Sequence, residues 1–175
     1  MTPLYHILLI CRFFYFNCGF ALIIENNKIL LNKNQSSIGH CYPDLPNGMI
    51  YYDLPGGGQN QYETLEEAVK RECLEETGYY VNIERLAAIY EEISINEKFR
   101  TEYERYAHKV HFLFVCHLTG NSTMPSEEKD LDMLEPEWVD IEDVKKIPLY
   151  PQIIKSNFDL VLKSNHILYL GSERV

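Results

Sequence analysis

The order of apolar runs along this 175-residue chain predicts an α/β fold. Three observations carry the expectation. Short apolar segments rich in β-branched and aromatic residues recur along the chain, as strands do. Between them lie two stretches with helical periodicity, Thr64–Thr77 and Gln152–Leu162. A hydrophobic content of 46% over 175 residues suffices for one sizeable core and is short for two domains. No internal repeat or low-complexity segment interrupts the pattern.

The opening run, MTPLYHILLICRFFYFNCGFALII, lacks the basic start and small-residue cleavage site of a signal peptide. His6, Arg12 and Asn17 also break it well short of a membrane span. Leu4–Tyr15 is expected to form a strand within an apolar extension, residues 1–19. Phe20–Ile24 and Lys28–Asn32 flank Asn26-Asn27 and predict a hairpin. Lys33–Asn47, with Gly39, Pro43 and Pro46, reads as a loop. Its His40-Cys41 pair has no second pair at metal-ligand spacing, so an ordinary loop histidine is expected. Met49–Leu54 and Val81–Ile93 read as strands, and Asn96–Glu104 as a charged, exposed link. His108–Leu118 has the strongest strand character and is expected to be central in the sheet. His111 and His117 share strand parity and His108 does not, so the three cannot form one ligand face. Gly120–Glu135 reads as a polar loop, Glu137–Val139 as a short strand anchored by Trp138, and Ile141–Ile147 as a brief helix. Pro151 suits a helix start ahead of Gln152–Leu162. Residues 166–175 are left as a tail, with a short apolar stretch at Ile167–Leu170.

The stretch Pro55–Tyr79, PGGGQNQYETLEEAVKRECLEETGY, departs from a plain amphipathic pattern. Thr64 and Glu67 stand at capping-box spacing, and Gly78 is placed to end the helix in a left-handed conformation. Leu65, Ala68, Val69 and Cys73 make the apolar face. Glu66, Glu67, Lys70 and Arg71 read as a solvated face with Glu66–Lys70 and Glu67–Arg71 as i,i+4 pairs. Glu72 and Glu76, however, fall within the apolar stripe, and Glu75 sits at its edge. Residues four apart return to within about 40° of one direction, so Glu72 and Glu76 stack one turn apart. Carboxylates converging there would repel one another and resist burial unless a cation held them. Oxygen ligands of this kind suit Mg²⁺ or Mn²⁺. The strand, glycine-rich loop and helix in succession let backbone groups approach a phosphate or metal closely.

From Gly57 the chain runs five residues to Glu63, seven to Arg71-Glu72, two to Glu75-Glu76 and one to Gly78. This spacing resembles the signature of the Nudix hydrolases, Gly-x5-Glu-x7-Arg-Glu-U-x-Glu-Glu-x-Gly-U, at all its fixed positions. A chance match at a given start is on the order of 10⁻⁸ to 10⁻⁹ at average residue frequencies. Cys73 and Tyr79 depart from the bulky aliphatic U, at positions that pack rather than react. The EWVDIEDV segment also resembles the region that follows the box in this family. The resemblance implies a Nudix-type α/β/α sandwich with a mixed sheet, over residues 20–165. It further implies Mg²⁺- or Mn²⁺-dependent hydrolysis of a nucleoside diphosphate linked to another moiety. Glu72, Glu75 and Glu76 would ligate the metal with the Gly56 carbonyl. Arg71 would orient the glutamates through Glu63 or Glu75, with Gly57 and Gly78 shaping the turn on either side. Glu127 and Glu128 are candidates for a base or ligand outside the box.

The resemblance also implies markers of substrate type downstream of the box. A proline near Ser94 or Ile95 would mark an ADP-ribose enzyme, and a tyrosine near Asn96 or Glu97 a diadenosine-polyphosphate one. Both are absent, as is the NADH-type motif. That leaves a nucleoside triphosphate, such as an oxidised 8-oxo-dGTP-like one. The alternatives are an ADP-ribose or nucleotide-sugar pyrophosphatase, or a nucleotide-binding regulator without turnover. Tyr51, Tyr52 and Phe112 could wall the base, though core packing is the plainer role. The net charge of −10 argues against polymeric nucleic acid but not against a small nucleotide brought in with cations. Cys11, Cys18, Cys41, Cys73 and Cys116 have no paired spacing, a reduced and cytoplasmic pattern. A monomer or homodimer without a membrane partner is expected.

Overall fold

The computed structural model describes residues 16–37, 45–123 and 132–175, with the backbone alone at 121–123. The strand expected at Leu4–Tyr15, the His40-Cys41 pair and the candidates Glu127 and Glu128 lie outside the described residues. In chain order the strands are β1 (Phe16–Glu25), β2 (Lys28–Gln35), β3 (Ile50–Asp53), β4 (Gly56–Gly58), β5 (Tyr79–Ile93), β6 (His108–Thr123), β7 (Met133–Asp140) and β8 (Leu168–Arg174). The helices are α1 (Leu65–Thr77), α2 (Glu97–Glu102) and α3 (Gln152–Lys163). The eight strands form one mixed sheet of order β3-β2-β1-β6-β5-β8, with β4 pairing β1 and β7 pairing β2. The pairs β1/β6 and β5/β8 are parallel, and the other pairs are antiparallel.

Local chemistry accounts for most of these boundaries. Asn26 and Asn27 both take positive φ, 49° and 62°, as the tight turn between β1 and β2 requires. At the start of α1 the Thr64 hydroxyl accepts from the Glu67 N–H, and the Glu67 carboxylate accepts from the Thr64 N–H. Gly78 ends the helix at φ 74°, its N–H bonded to the Leu74 carbonyl.

Alternation along the strands divides the core into two layers. Ala21, Ile23, Phe114 and Cys116 meet Val69 and Cys73 of α1 on one face. Leu22, Leu113 and Val115 meet Ile154, Phe158 and Val161 of α3 on the other. Each of the Val, Leu, Ile and Phe side chains among them contributes about 1.5–3 kcal/mol of transfer free energy when fully buried. The result is the expected α/β/α sandwich. Cys18, Cys73 and Cys116 are buried free thiols. Among the described residues no helix is long and apolar enough to cross a membrane.

Several segments differ from the sequence reading. Strand β1 takes in Phe16–Gly19 ahead of the expected Phe20, because Cys18, Gly19 and Phe20 pair with Gly58, Gly57 and Gly56. The three glycines, expected as loop, are thereby a strand. The exposed link after Asn96 contains α2, capped by the Asn96 side chain on the Phe99 N–H. Strand β7 is longer than Glu137–Val139, since it pairs with β2 along its length. The tail at 166–175 holds β8, which joins the sheet beside β5. Tyr51 and Tyr52 are both buried, and Trp138 packs edge-on against Tyr79 with ring centroids 6.1 Å apart.

Candidate active site

The site is built where β4 lies between β1 and α1. Gly56 has φ 143°, and a Cβ there would fall 2.2 Å from the Gly19 carbonyl oxygen, so only glycine lets β4 pair so closely with β1. A Cβ on Gly57 would lie 2.7 Å from the Glu72 carboxylate carbon. The absence of a side chain at that position is what lets the carboxylate lie against the strand.

Arg71 is the hub of the cluster. Its Nε and Nη2 donate to Glu63 at 3.2 and 2.8 Å, a two-point grip on one carboxylate. Its Nη1 donates to Glu72 at 2.7 Å and to Glu75 at 3.0 Å, and Nη2 also reaches the Gly58 carbonyl at 3.0 Å. A guanidinium has five N–H groups, and these contacts use all of them. The sequence offered Glu63 or Glu75 as its partner, and it holds both. It does not pair with Glu67, whose carboxylate is occupied in capping Thr64. The guanidinium holds Glu63 below the usual carboxylate range, chiefly by hydrogen bonding. Glu63 also accepts the Asn60 N–H at 2.6 Å, which ties the loop before α1 to the hub.

Glu76 lies apart from Arg71. Its Oε2 accepts the Gly56 N–H at 2.8 Å and the Asn32 side-chain amide at 2.9 Å. Although the residue keeps some accessible surface, protein crowds the carboxylate itself. Burial pushes its pKa well above the ordinary value, and the nearby charges of Asp53 and Glu72 push the same way. The two hydrogen bonds oppose that shift without overcoming it. The buried Oδ1 of Asn32 has no hydrogen-bond partner.

A cation suits this arrangement. Among the described residues no three His, Cys, Asp or Glu side chains already stand close enough to cage an ion. The reason is visible in the hub, where Glu72 and Glu75 are turned onto Arg71. The donors within reach are carboxylate and amide oxygens, the chemistry of hard divalent ions. The burial that raises the Glu76 pKa and the unmet Asn32 oxygen would both be offset by added positive charge. Gly78 shapes the helix end and touches none of these groups by hydrogen bond.

The three strand histidines meet separate partners and form no cluster, and His111 takes an unforeseen environment. His108 meets Glu91 at 3.2 Å and His117 meets Glu84 at 2.7 Å, both near the surface. His111 is buried on the face opposite α1, with Lys109 and Glu92 nearby. No sequence motif marked it, because an isolated histidine on an apolar strand carries no spacing signal.

A family model for the NUDIX domain matches residues 17–159. A Bacillus subtilis (strain 168) protein provisionally named 8-oxo-dGTP diphosphatase is 33% identical over 96 residues, 55% of this chain and 54% of that protein. An ADP-ribose pyrophosphatase of Methanocaldococcus jannaschii is 27% identical over 137 residues, 77% of this chain and 68% of the relative. The chain spans about half or less of the length of the first curated relatives it matches. Among solved structures, a NUDIX hydrolase from Nitrosomonas europaea superposes with a TM-score of 0.62 at 19% identity, covering 83% of this chain and 86% of that one. That likeness concerns the fold alone. The family match takes in most of the residues and the whole of the glutamate cluster, and the chain belongs to the NUDIX domain family.

Proposed function

We propose that this protein is a metal-dependent hydrolase that cleaves the pyrophosphate bond of a nucleoside triphosphate, including an oxidised, 8-oxo-dGTP-like one. The observation that carries the reading is the gathering of Glu63, Glu72 and Glu75 on one guanidinium beside the buried carboxylate of Glu76. Such a concentration of carboxylates is costly for folding and useful for holding divalent cations. Glu72, Glu75, Glu76 and the Gly56 carbonyl would hold Mg²⁺ or Mn²⁺. When bound, the ion would supply positive charge against the pyrophosphate and make a water more acidic.

The protein's own part is positioning and proton transfer. Arg71 gathers Glu63, Glu72 and Glu75 on one guanidinium, from which Glu72 and Glu75 would turn to the ion while Glu63 keeps Arg71 in place. One box carboxylate accepts the proton of the attacking water. Glu127 and Glu128 are the candidates for a further base. A net charge of −10 means that a polyanionic substrate is drawn in only with its cations. The relative named for 8-oxo-dGTP supports the triphosphate reading. The relative named for ADP-ribose aligns over more of the chain and favours ADP-ribose or a nucleotide sugar as the second reading. The same proposal covers a cytoplasmic setting and a monomer or homodimer engaging neither membrane nor polymeric nucleic acid.

The test is release of phosphate, pyrophosphate or nucleoside monophosphate from a nucleotide panel with Mg²⁺, comparing wild type with Glu76→Gln. Turnover by wild type and a loss of at least about 100-fold in the variant are expected. Equal rates in both proteins would refute the role given to Glu76, and no metal-dependent turnover on any member would leave a nucleotide-binding regulator as the better description.

A further inference from the structure

Strand β2 carries amides where alternation would continue an apolar face. Ile29 and Leu31 pack into the core on the α3 side of the sheet, and Leu30 into the core on the α1 side. Alternation sets Asn32 and Asn34 on the same side as Leu30, and both are buried, with Asn32 only 3% exposed. A leucine at position 32 would extend that face with no polar atom. The Asn32 amide instead points its nitrogen at the glutamate helix, where Nδ2 donates to Glu76 Oε2 at 2.9 Å. Its Oδ1 is buried with no hydrogen-bond partner. An unmet buried acceptor costs stability that an apolar residue of similar size would not, so the amide is accounted for by what its nitrogen holds.

The glutamates of the cluster are held in two different ways. Arg71 takes Glu63, Glu72 and Glu75. Glu76 is held by neutral donors, the Asn32 amide and the Gly56 N–H at 2.8 Å, and both end on Oε2. Neutral donors fix the direction of a carboxylate and leave its charge for a cation, whereas a guanidinium offsets that charge. With Oε2 taken twice, Oε1 is the oxygen left to act as a ligand. The mounting is rigid. At Asn32 the β2 backbone is paired with Asp53 of β3 and with Pro136 of β7, and Gly56 is paired with Phe20 of β1.

We propose that Asn32 is a positioning residue for the metal. By holding Oε2 it makes Glu76 the ligand that is set before an ion binds, and Glu72 and Glu75 turn from Arg71 afterwards. Asn32 acts through Glu76, because its own Oδ1 is enclosed by protein. The proposal rests on the hydrolase reading above for the nature of the ion. It also gives β2, well outside the glutamate helix, a part in metal affinity.

Equilibrium binding of Mn²⁺ alone, read from the electron paramagnetic resonance of the free ion, tests this without nucleotide or turnover. Asn32→Leu, which keeps the bulk and removes the amide, should bind Mn²⁺ about tenfold more weakly than wild type. Asn32→Ala, which cannot crowd the helix, should do the same and serves as the reading if Asn32→Leu does not fold. Asn34→Leu makes the same change at the neighbouring buried amide, whose Nδ2 reaches the Asn32 carbonyl at 3.5 Å. It should bind Mn²⁺ as wild type does, whereas a general effect of losing a buried amide from β2 would weaken both variants alike. The proposal is overturned if the folded Asn32 variants bind Mn²⁺ as tightly as wild type, if Asn34→Leu weakens binding equally, or if wild type binds no Mn²⁺. Absence of turnover on the nucleotide panel, with Mn²⁺ binding as expected here, would count against the hydrolase reading and leave Asn32 in this role.

Discussion

Two adjacent glycines in β4 should fail in different ways when each gains a methyl group. At Gly57 the backbone φ lies outside the left-handed region, so alanine is tolerated by the main chain. Its Cβ would nonetheless meet the Glu72 carboxylate at 2.7 Å, where ordinary contact begins at 3.4 Å. The carboxylate must retreat by about 0.7 Å, and its 2.7 Å bond to Arg71 must lengthen or turn. A carboxylate is the far end of a flexible side chain, so this movement should cost only about 1 kcal/mol of stability, a few degrees in Tm. Misplacement on that scale at a reacting centre costs about 100-fold in rate. Gly57→Ala is therefore expected to lose about two orders of magnitude in kcat/KM while melting nearly as wild type does. Gly56→Ala should behave oppositely. Its Cβ would strike backbone, the Gly19 oxygen at 2.2 Å and the Phe20 Cα at 2.7 Å, from a φ of 143°. Steric overlap and backbone strain together should cost at least ~3 kcal/mol. The assays are thermal denaturation without metal and nucleotide hydrolysis with Mg²⁺. Wild-type kcat/KM in Gly57→Ala, or equal destabilisation of the two variants, would refute this account of the glycines.

Two further outcomes follow from the same geometry. His111 is neutral when folded, with a pKa of about 3 against 6.5 for the free group, so the unfolded chain binds the extra proton. Its contribution to stability is complete above pH 6.5 and is lost as pH falls towards 3; at pH 5 the loss is about 2 kcal/mol. Denaturant midpoints at pH 7 and pH 5 should therefore fall more in wild type than in His111→Phe, and parallel falls would count against a buried neutral imidazole. Millimolar Mg²⁺ or Mn²⁺ should raise the Tm of wild type by binding the folded state, and should raise that of Glu76→Gln less. An identical shift in both proteins would place the metal elsewhere.

What could be read from the sequence was whatever depends on local chemistry. Asn26-Asn27, the Thr64–Glu67 box and Gly78 each act within a few residues, and each formed as expected. Arg71 and its glutamates were legible through spacing, because a helix converts sequence separation into direction. Strand β4 was hidden, since consecutive glycines disfavour a strand unless another backbone must come close. Strand β8, half exposed and interrupted by Gly171, carries little alternation and exists through its pairing with β5. Asn32 reaches Glu76 across 44 residues, and His111 is flanked by rings from two other strands. Nothing in the local sequence encodes such encounters.

The parallel pairing of β1 with β6 has a consequence for the order in which the protein can form. Strand β1 can turn back onto β2 and take up β4 once the chain has reached Gly58, which covers one of its edges. Its other edge must wait for β6, whose residue His111 opposite Cys18 comes about ninety residues later. At ribosomal rates of roughly 5–20 residues per second that interval lasts several seconds. So distant a pairing also slows spontaneous refolding. The strand that backs the glutamates thus acquires its first neighbours early, whereas Glu92, Lys109 and His111 arrive with β5 and β6. A nascent chain halted between Gly78 and His108 would carry the glutamate helix beside an uncovered strand edge, the state most open to wrong association.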